Sequence, residues 1–67
     1  MSFAQRLRAR RVALGVPQSD IAKTTGFKQC ALSHFETGRR EPNITNLRRL
    51  CVALDCSADY LIGLKEK

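Results

Sequence analysis

Four glycines, Gly15, Gly26, Gly38 and Gly63, each follow a short stretch in which apolar residues recur at helical spacing. No alternating β-branched run lies between them, so strands are not favoured. The chain is thereby confined to short helices joined by tight turns. Five are predicted. The first covers about residues 2–14, with Ser2 as cap and Phe3, Leu7 and Leu14 on one face. The second covers 17–25, with Ile21 and Ala22 inward. Pro17 suits its first turn, because proline lacks an N–H that would be unsatisfied there. The third covers 28–37, with Ala31, Leu32 and Phe35 inward. The fourth runs over 43–54, capped by Asn43, with a stripe of Leu47, Leu50, Cys51 and Leu54. The fifth, over 57–62, is capped by Ser57 and has an apolar side of Tyr60, Leu61 and Leu64. The expected fold class is a compact all-α domain of five helices, with one domain over residues 1–67.

Charge narrows the class of partner. The 67 residues carry a net charge of +6. Ten Lys and Arg against three acids lie in residues 1–49, while Lys65 and Lys67 face Asp55, Asp59 and Glu66 in the rest. A basic body with a near-neutral end suggests one surface built for an anion. Nucleic acid, an acidic membrane and an acidic protein are the options, and no apolar run approaches membrane-spanning length. The three cysteines, Cys30, Cys51 and Cys56, are odd in number and form no CxxC pair. They read as reduced thiols acting as small apolar residues in the cytoplasm. With His34 as the only histidine, the spacing fits no usual zinc pattern. No metal, cofactor or small-molecule ligand is implied.

The segment from Gln18 to Glu36 is the most informative. A short helix ends at Gly26, and a second follows almost at once. Gly26 can take the left-handed backbone conformation that a sharp turn between helices needs. At roughly 100° per residue, Gln29, Cys30, Ser33, His34 and Thr37 cluster opposite Leu32 and Phe35. This stripe has no acid and no large aliphatic, whereas a merely solvated face more often carries Glu and Lys. Glutamine can pair bidentately with adenine, serine can serve several bases, and a small apolar group such as Cys30 can meet a thymine methyl. Lys28 adds a positive charge within reach of guanine or phosphate. Base-edge contacts are therefore assigned to Lys28, Gln29, Cys30, Ser33 and His34. Backbone contacts are assigned to Gln18, Thr37 and Asn43, with Asn43 also capping its helix. Arg48 and Arg49 read as solvated helix charges.

The run Pro17-Gln18-Ser19-Asp20-Ile21-Ala22, then Gly26-Phe27, then the run from Leu32 to Pro42, resembles the lambda-repressor/Cro (XRE) helix-turn-helix family. The likeness continues through Asn43-Ile44-Thr45-Asn46-Leu47, Ala53-Leu54 and the run from Ser57 to Gly63. It implies five helices, a helix-turn-helix at about residues 18–37, a third helix in the major groove, and dimers on two half-sites about one turn apart. It also implies that Arg11 and Glu36 meet in a partly buried ion pair that turns Arg11 toward the DNA backbone, and that Arg39 and Arg40 lie where the family clamps that backbone. The chain departs from the family pattern at Pro17, Thr25 and Lys28, at Arg10, which replaces a common leucine, and at Asp55, which replaces a frequent glycine.

The expected function is sequence-specific binding of double-stranded operator DNA by a transcriptional regulator, with repression as the outcome. Homodimerisation is assigned to the near-neutral end, through Cys56, Tyr60, Leu61 and Leu64. A rival reading packs those residues inside one chain. The alternative function is a protein-interaction or antitoxin-type module on the same fold, for which acids on the stripe or loss of Gln18 and the loop arginines would be the mark. An enzyme is not expected. No Ser/His/Asp or Cys/His set must converge, no glycine-rich loop cradles phosphate, and no carboxylates pair in a cleft.

Overall fold

The computed structural model describes residues 1–64. Lys65, Glu66 and Lys67, counted above in the near-neutral end, lie outside the described residues. Five helices follow one another: α1 (Phe3–Leu14), α2 (Gln18–Thr25), α3 (Gln29–Thr37), α4 (Ile44–Leu54) and α5 (Ala58–Leu61). Among the described residues there is no strand, and no helix is long and apolar enough to cross a membrane.

Side-chain caps start three of the helices. Ser2 Oγ accepts from Gln5 N at 3.2 Å while Gln5 Oε1 accepts from Ser2 N at 2.9 Å, a reciprocal capping box. Asn43 Oδ1 accepts from Asn46 N at 2.8 Å, and Ser57 Oγ from Tyr60 N at 3.1 Å. Pro17 and Lys28 sit one residue outside the helices in which they were expected. Both hold extended backbone, with ψ of 162° and 145°, so each precedes its helix as a cap residue. Neither side chain caps the helix it precedes. The α5 helix stops at Leu61, one residue early, with Ile62 as its C-cap.

Every helix sends at least one apolar side chain into a single core. Leu7 of α1, Leu32 of α3, Leu50 and Leu54 of α4 and Leu61 of α5 are fully buried, and Ile21 of α2 and Phe35 of α3 nearly so. Apolar burial is the main favourable term available to so small a domain. Two expectations are corrected here. Leu14 does not join the inner face; it is the last residue of α1, where the helix runs out into solvent beside Gly15. Leu61 is not available to a second chain. It fills the space where α5 packs on α1 and α4, so its burial is intramolecular.

The inner side of α1 is only partly apolar. Arg6 is buried, with its guanidinium carbon 5.3 Å from the centre of the Tyr60 ring and Nη1 donating to Tyr60 O at 3.4 Å. Arg10 crosses to the end of α4, where Nε donates to Leu54 O at 2.8 Å and Nη2 to Asp55 O at 3.0 Å. A cation on the last carbonyls of a helix satisfies orphan acceptors and complements the helix dipole. Asp55 is the one non-glycine with positive φ among the described residues, at φ 50° and ψ 52°. Two of the five departures from the family pattern, Arg10 and Asp55, therefore meet at one turn.

The left-handed conformation costs a non-glycine residue roughly 1–2 kcal/mol, less for aspartate than for most. Asp55→Gly is accordingly expected to stabilise the fold by about 1 kcal/mol, raising the melting temperature by roughly 4–8 °C in a domain of this size. Arg10→Met, which removes two charge-assisted bonds, is expected to lower unfolding free energy by about 1.5–3 kcal/mol. Thermal and urea melts followed by circular dichroism check both.

Candidate nucleic-acid interface

The turn between α2 and α3 sets the direction of the helix that carries the stripe. Gly26 takes φ 80° and ψ 8°, and its N–H donates to Ala22 O at 2.9 Å. Thr25 is buried, yet its hydroxyl is satisfied locally. Oγ1 donates to Ile21 O at 2.7 Å and accepts from Phe27 N at 3.3 Å, which ties the last turn of α2 to the bend. Phe27 then meets Phe35 edge to face, with ring centres 5.7 Å apart and planes at 78°. With Leu32 and Phe35 anchored below, the opposite face of α3 points outward. Lys28, Gln29, Cys30 and Thr37 are exposed there, and Ser33 and His34 are half-buried beside them.

Thr37 Oγ1 donates to Ser33 O at 3.0 Å, so its proton faces its own helix. Thr37 is exposed at the end of α3, and its hydroxyl is free to turn from this local bond toward another acceptor. Arg39 and Arg40 are exposed in the loop after α3. Their backbone N–H groups both donate to His34 O, at 3.0 and 3.3 Å, which fixes the loop to the end of the helix.

Beneath the stripe lies a network on the one acid of α3. Glu36 keeps 2% of its side chain exposed. Arg11 Nε donates to Glu36 Oε2 at 2.7 Å and Nη2 to Oε1 at 3.0 Å, a bidentate pair. Gln18 Nε2 donates to the same Oε1 at 3.0 Å. Arg11 Nη1 reaches Val16 O at 2.9 Å. The hydrogen bond to Glu36 pushes the Arg11 pKa up, against the opposing effect of burial. Three helices thus meet at one carboxylate, and Arg11 also holds the first turn through Val16 O. A guanidinium has five N–H donors and an amide nitrogen two. Arg11 retains two donors beyond these bonds and Gln18 one, all from groups whose positions are already fixed.

The α2 and α3 N-termini have no side-chain cap, so no side chain competes for the backbone N–H groups there. Arg8 was passed over in the sequence. It is exposed one turn before Arg11 and lines a surface groove with Gln5, Val12 and Glu36. Its sign is its three-residue offset from Arg11. Of the four residues assigned to a dimer contact, Cys56 and Tyr60 line one surface groove with Arg10 and Ser57, while Leu61 is withdrawn into the core. Leu61 is buried, Cys56 and Tyr60 are half-buried against the core, and Leu64 is 73% exposed. Val52 and Ile62 are exposed apolar side chains that the sequence reading did not single out.

Comparison with known proteins accords with this geometry. The helix-turn-helix family model matches residues 7–61. The chain belongs to the XRE-type helix-turn-helix family. Among its relatives, the repressor protein C2 of Salmonella phage P22 is 43% identical over 60 residues, covering 90% of this chain and 28% of C2. The HTH-type transcriptional regulator ImmR of Bacillus subtilis strain 168 is 32% identical over 66 residues, covering 98% of this chain and 52% of ImmR. The chain thus spans about a quarter to a half of the length of these relatives. Among solved structures, the P22 c2 repressor in complex with a synthetic operator superposes with a TM-score of 0.91 at 38% identity, covering 97% of this chain and 98% of that one. Within this XRE-type fold the bend at Gly26 and the carboxylate of Glu36 together fix the pose of α3.

Removing one member of a buried pair strands the other. Glu36→Ala is expected to cost about 3–5 kcal/mol, and replacing both Arg11 and Glu36 by well-packed apolar residues is expected to cost far less. Urea denaturation of the two variants checks this. Arg11→Met with unchanged stability and unchanged affinity for DNA would sink the role given to the pair.

Proposed function

We propose that the chain is the operator-reading domain of a transcriptional repressor, with residues 1–67 acting as one unit and two copies holding a two-fold-related DNA site. The observation that carries this reading is the disposition of charge on α3. Its one acid, Glu36, is buried and neutralised, so the outward face presents a cation and uncharged hydrogen-bonding groups alone. Arg11 and Gln18 are held on Glu36, and Arg39 and Arg40 are exposed in the loop that follows α3. Donors from these elements suit the phosphates that border a major groove, with the stripe against base edges.

In this reading Arg11, Gln18, Thr37, Arg39, Arg40 and the helix start at Asn43 hold the sugar-phosphate backbone. Lys28, Gln29, Cys30, Ser33 and His34 read bases. The longest dimension of the chain is 27 Å, shorter than the turn of about 34 Å that separates two half-sites. One copy therefore covers one half-site, and a two-fold operator calls for a pair of copies. The work is done by binding, without a catalytic step, cofactor or small-molecule ligand, in the cytoplasm where the DNA is. P22 c2, solved on a synthetic operator, supports this assignment by analogy.

Selection of bound sites from a random duplex pool at physiological salt tests the reading. A two-fold motif with half-sites about one turn apart is expected. Gln29→Ala is expected to relax one position at a cost of roughly 1–3 kcal/mol. Salt-sensitive binding with no motif would overturn the repressor reading and turn attention to a protein partner. In the same assay Arg39→Ala is expected to weaken all sequences alike and to reduce the slope of log affinity against log salt by about one.

A further inference from the structure

The turn that ends α4 brings together two cysteines that the DNA-binding face does not use. Asp55 N donates to Val52 O at 3.3 Å and Cys56 N to Cys51 O at 3.1 Å. With Asp55 left-handed, these are the two bonds of a Schellman motif. In that motif the residue two past the helix and the residue five before it present their side chains to each other, normally as an apolar contact. Here both positions are cysteine.

The backbone geometry sets how far apart they can be. A hydrogen bond of 3.1 Å from Cys56 N to Cys51 O keeps the two Cα atoms within about 7 Å even along a straight path, and closer along a bent one. Disulfides join Cα atoms about 4.4–6.8 Å apart. Both cysteines are free and half-buried, and both line the same shallow surface groove, with Val52, Asp55 and Ser57. An oxidant of small size has access to them from that groove. Cys30, on α3, is not part of this groove.

We propose that Cys51 and Cys56 form a reversible oxidation site, closed by hydroperoxides to an intramolecular disulfide across the α4–α5 turn. In the first step the Cys56 thiolate attacks one oxygen of hydrogen peroxide. The O–O bond breaks, a sulfenic acid forms on Cys56, and the other oxygen leaves as water after taking up the thiol proton. In the second step Cys51 sulfur attacks the sulfenic sulfur. The S–S bond forms, the S–O bond breaks, and the hydroxyl leaves as a second water with the Cys51 proton. Each thiol gives up one electron and one proton, and the peroxide is reduced to two waters. Burial, with Cys51, raises the Cys56 thiol overall; Cys56 is placed first because Arg10, which lines a groove with it, opposes that rise. Burial also pushes the Cys51 thiol up, so its attack requires loss of its proton to water in the groove. The consequence is mechanical. The bridge fixes the turn that holds Asp55 and delivers Ser57 to cap α5.

The full chain carrying Cys30→Ser, which leaves only this pair, tests the proposal. After hydrogen peroxide treatment it is expected to lose both free thiols, to weigh less by the mass of two hydrogens, and to run as a monomer without reductant. Dithiothreitol is expected to restore both thiols. Adding Cys51→Ser is expected to abolish the mass loss and leave oxygen adducts or inter-chain bridges on Cys56. The oxidised form is expected to melt above the reduced one, since the bridge constrains the unfolded chain while fitting the native turn. Two thiols that persist under oxidation which consumes them in urea would overturn the proposal. So would disulfide-linked dimers as the main product, or an oxidised form that melts lower.

Discussion

A carboxylate withdrawn from water has to be paired, and the arrangement of the first three helices follows from how Glu36 meets that demand. Its oxygens collect three donors from two side chains, one on α1 and one at the start of α2. Breaking such a set is far costlier than never having built it, since the remaining charge stays buried. The network therefore acts less as a source of stability than as a constraint on relative position. If α2 rotated or α1 slid, Gln18 or Arg11 would lose its place on the carboxylate. The leucine core allows small adjustments among apolar contacts; the carboxylate allows few.

The same economy appears along α1, three of whose arginines reach different elements. Arg6 covers Tyr60 of α5, Arg10 ends α4, and Arg11 holds α3 and the first turn. A short helix with one fully buried leucine thus contacts most of the domain through guanidinium groups. Their long stems pack against apolar neighbours while their planar heads find carbonyls and a carboxylate. In a chain this small, hydrogen-bonded cations supplement a core that apolar side chains alone fill with few members.

Much of this was legible in the sequence because the signals are local. Ser2, Asn43 and Ser57 cap helices through contacts three residues away, and Gly26 marks its turn by its own backbone requirement. The inward positions of Leu32 and Phe35, and hence the outward stripe, follow from helical periodicity alone. The Arg11–Glu36 contact, drawn from resemblance, is present as a bidentate pair. What was not legible depends on partners distant in the chain. Arg6 and Arg10 looked like surface charge, because nothing in a run of arginines tells which one will meet a carbonyl 44 residues away. Leu61 and Leu64 share one apolar side on a helical projection, yet one is fully buried and the other open to solvent. A helix of four residues is too short for periodicity to separate them. Cys51 and Cys56, read as small apolar thiols, are brought to one turn by its backbone geometry and not by a spacing motif.

The side chains on the outer face of α3 touch little of what holds the domain together. Gln29 and Cys30 are exposed, and their neighbours Leu32, Phe35 and Glu36 carry the anchoring. Frame and text are thereby separated within a single nine-residue helix. Substitutions in the text leave the frame standing, so, with that face reading bases as proposed, a lineage carrying this scaffold can drift to new target sequences in single steps without passing through unfolded intermediates. A duplicated copy could part company with its original operator long before the two proteins differed in shape.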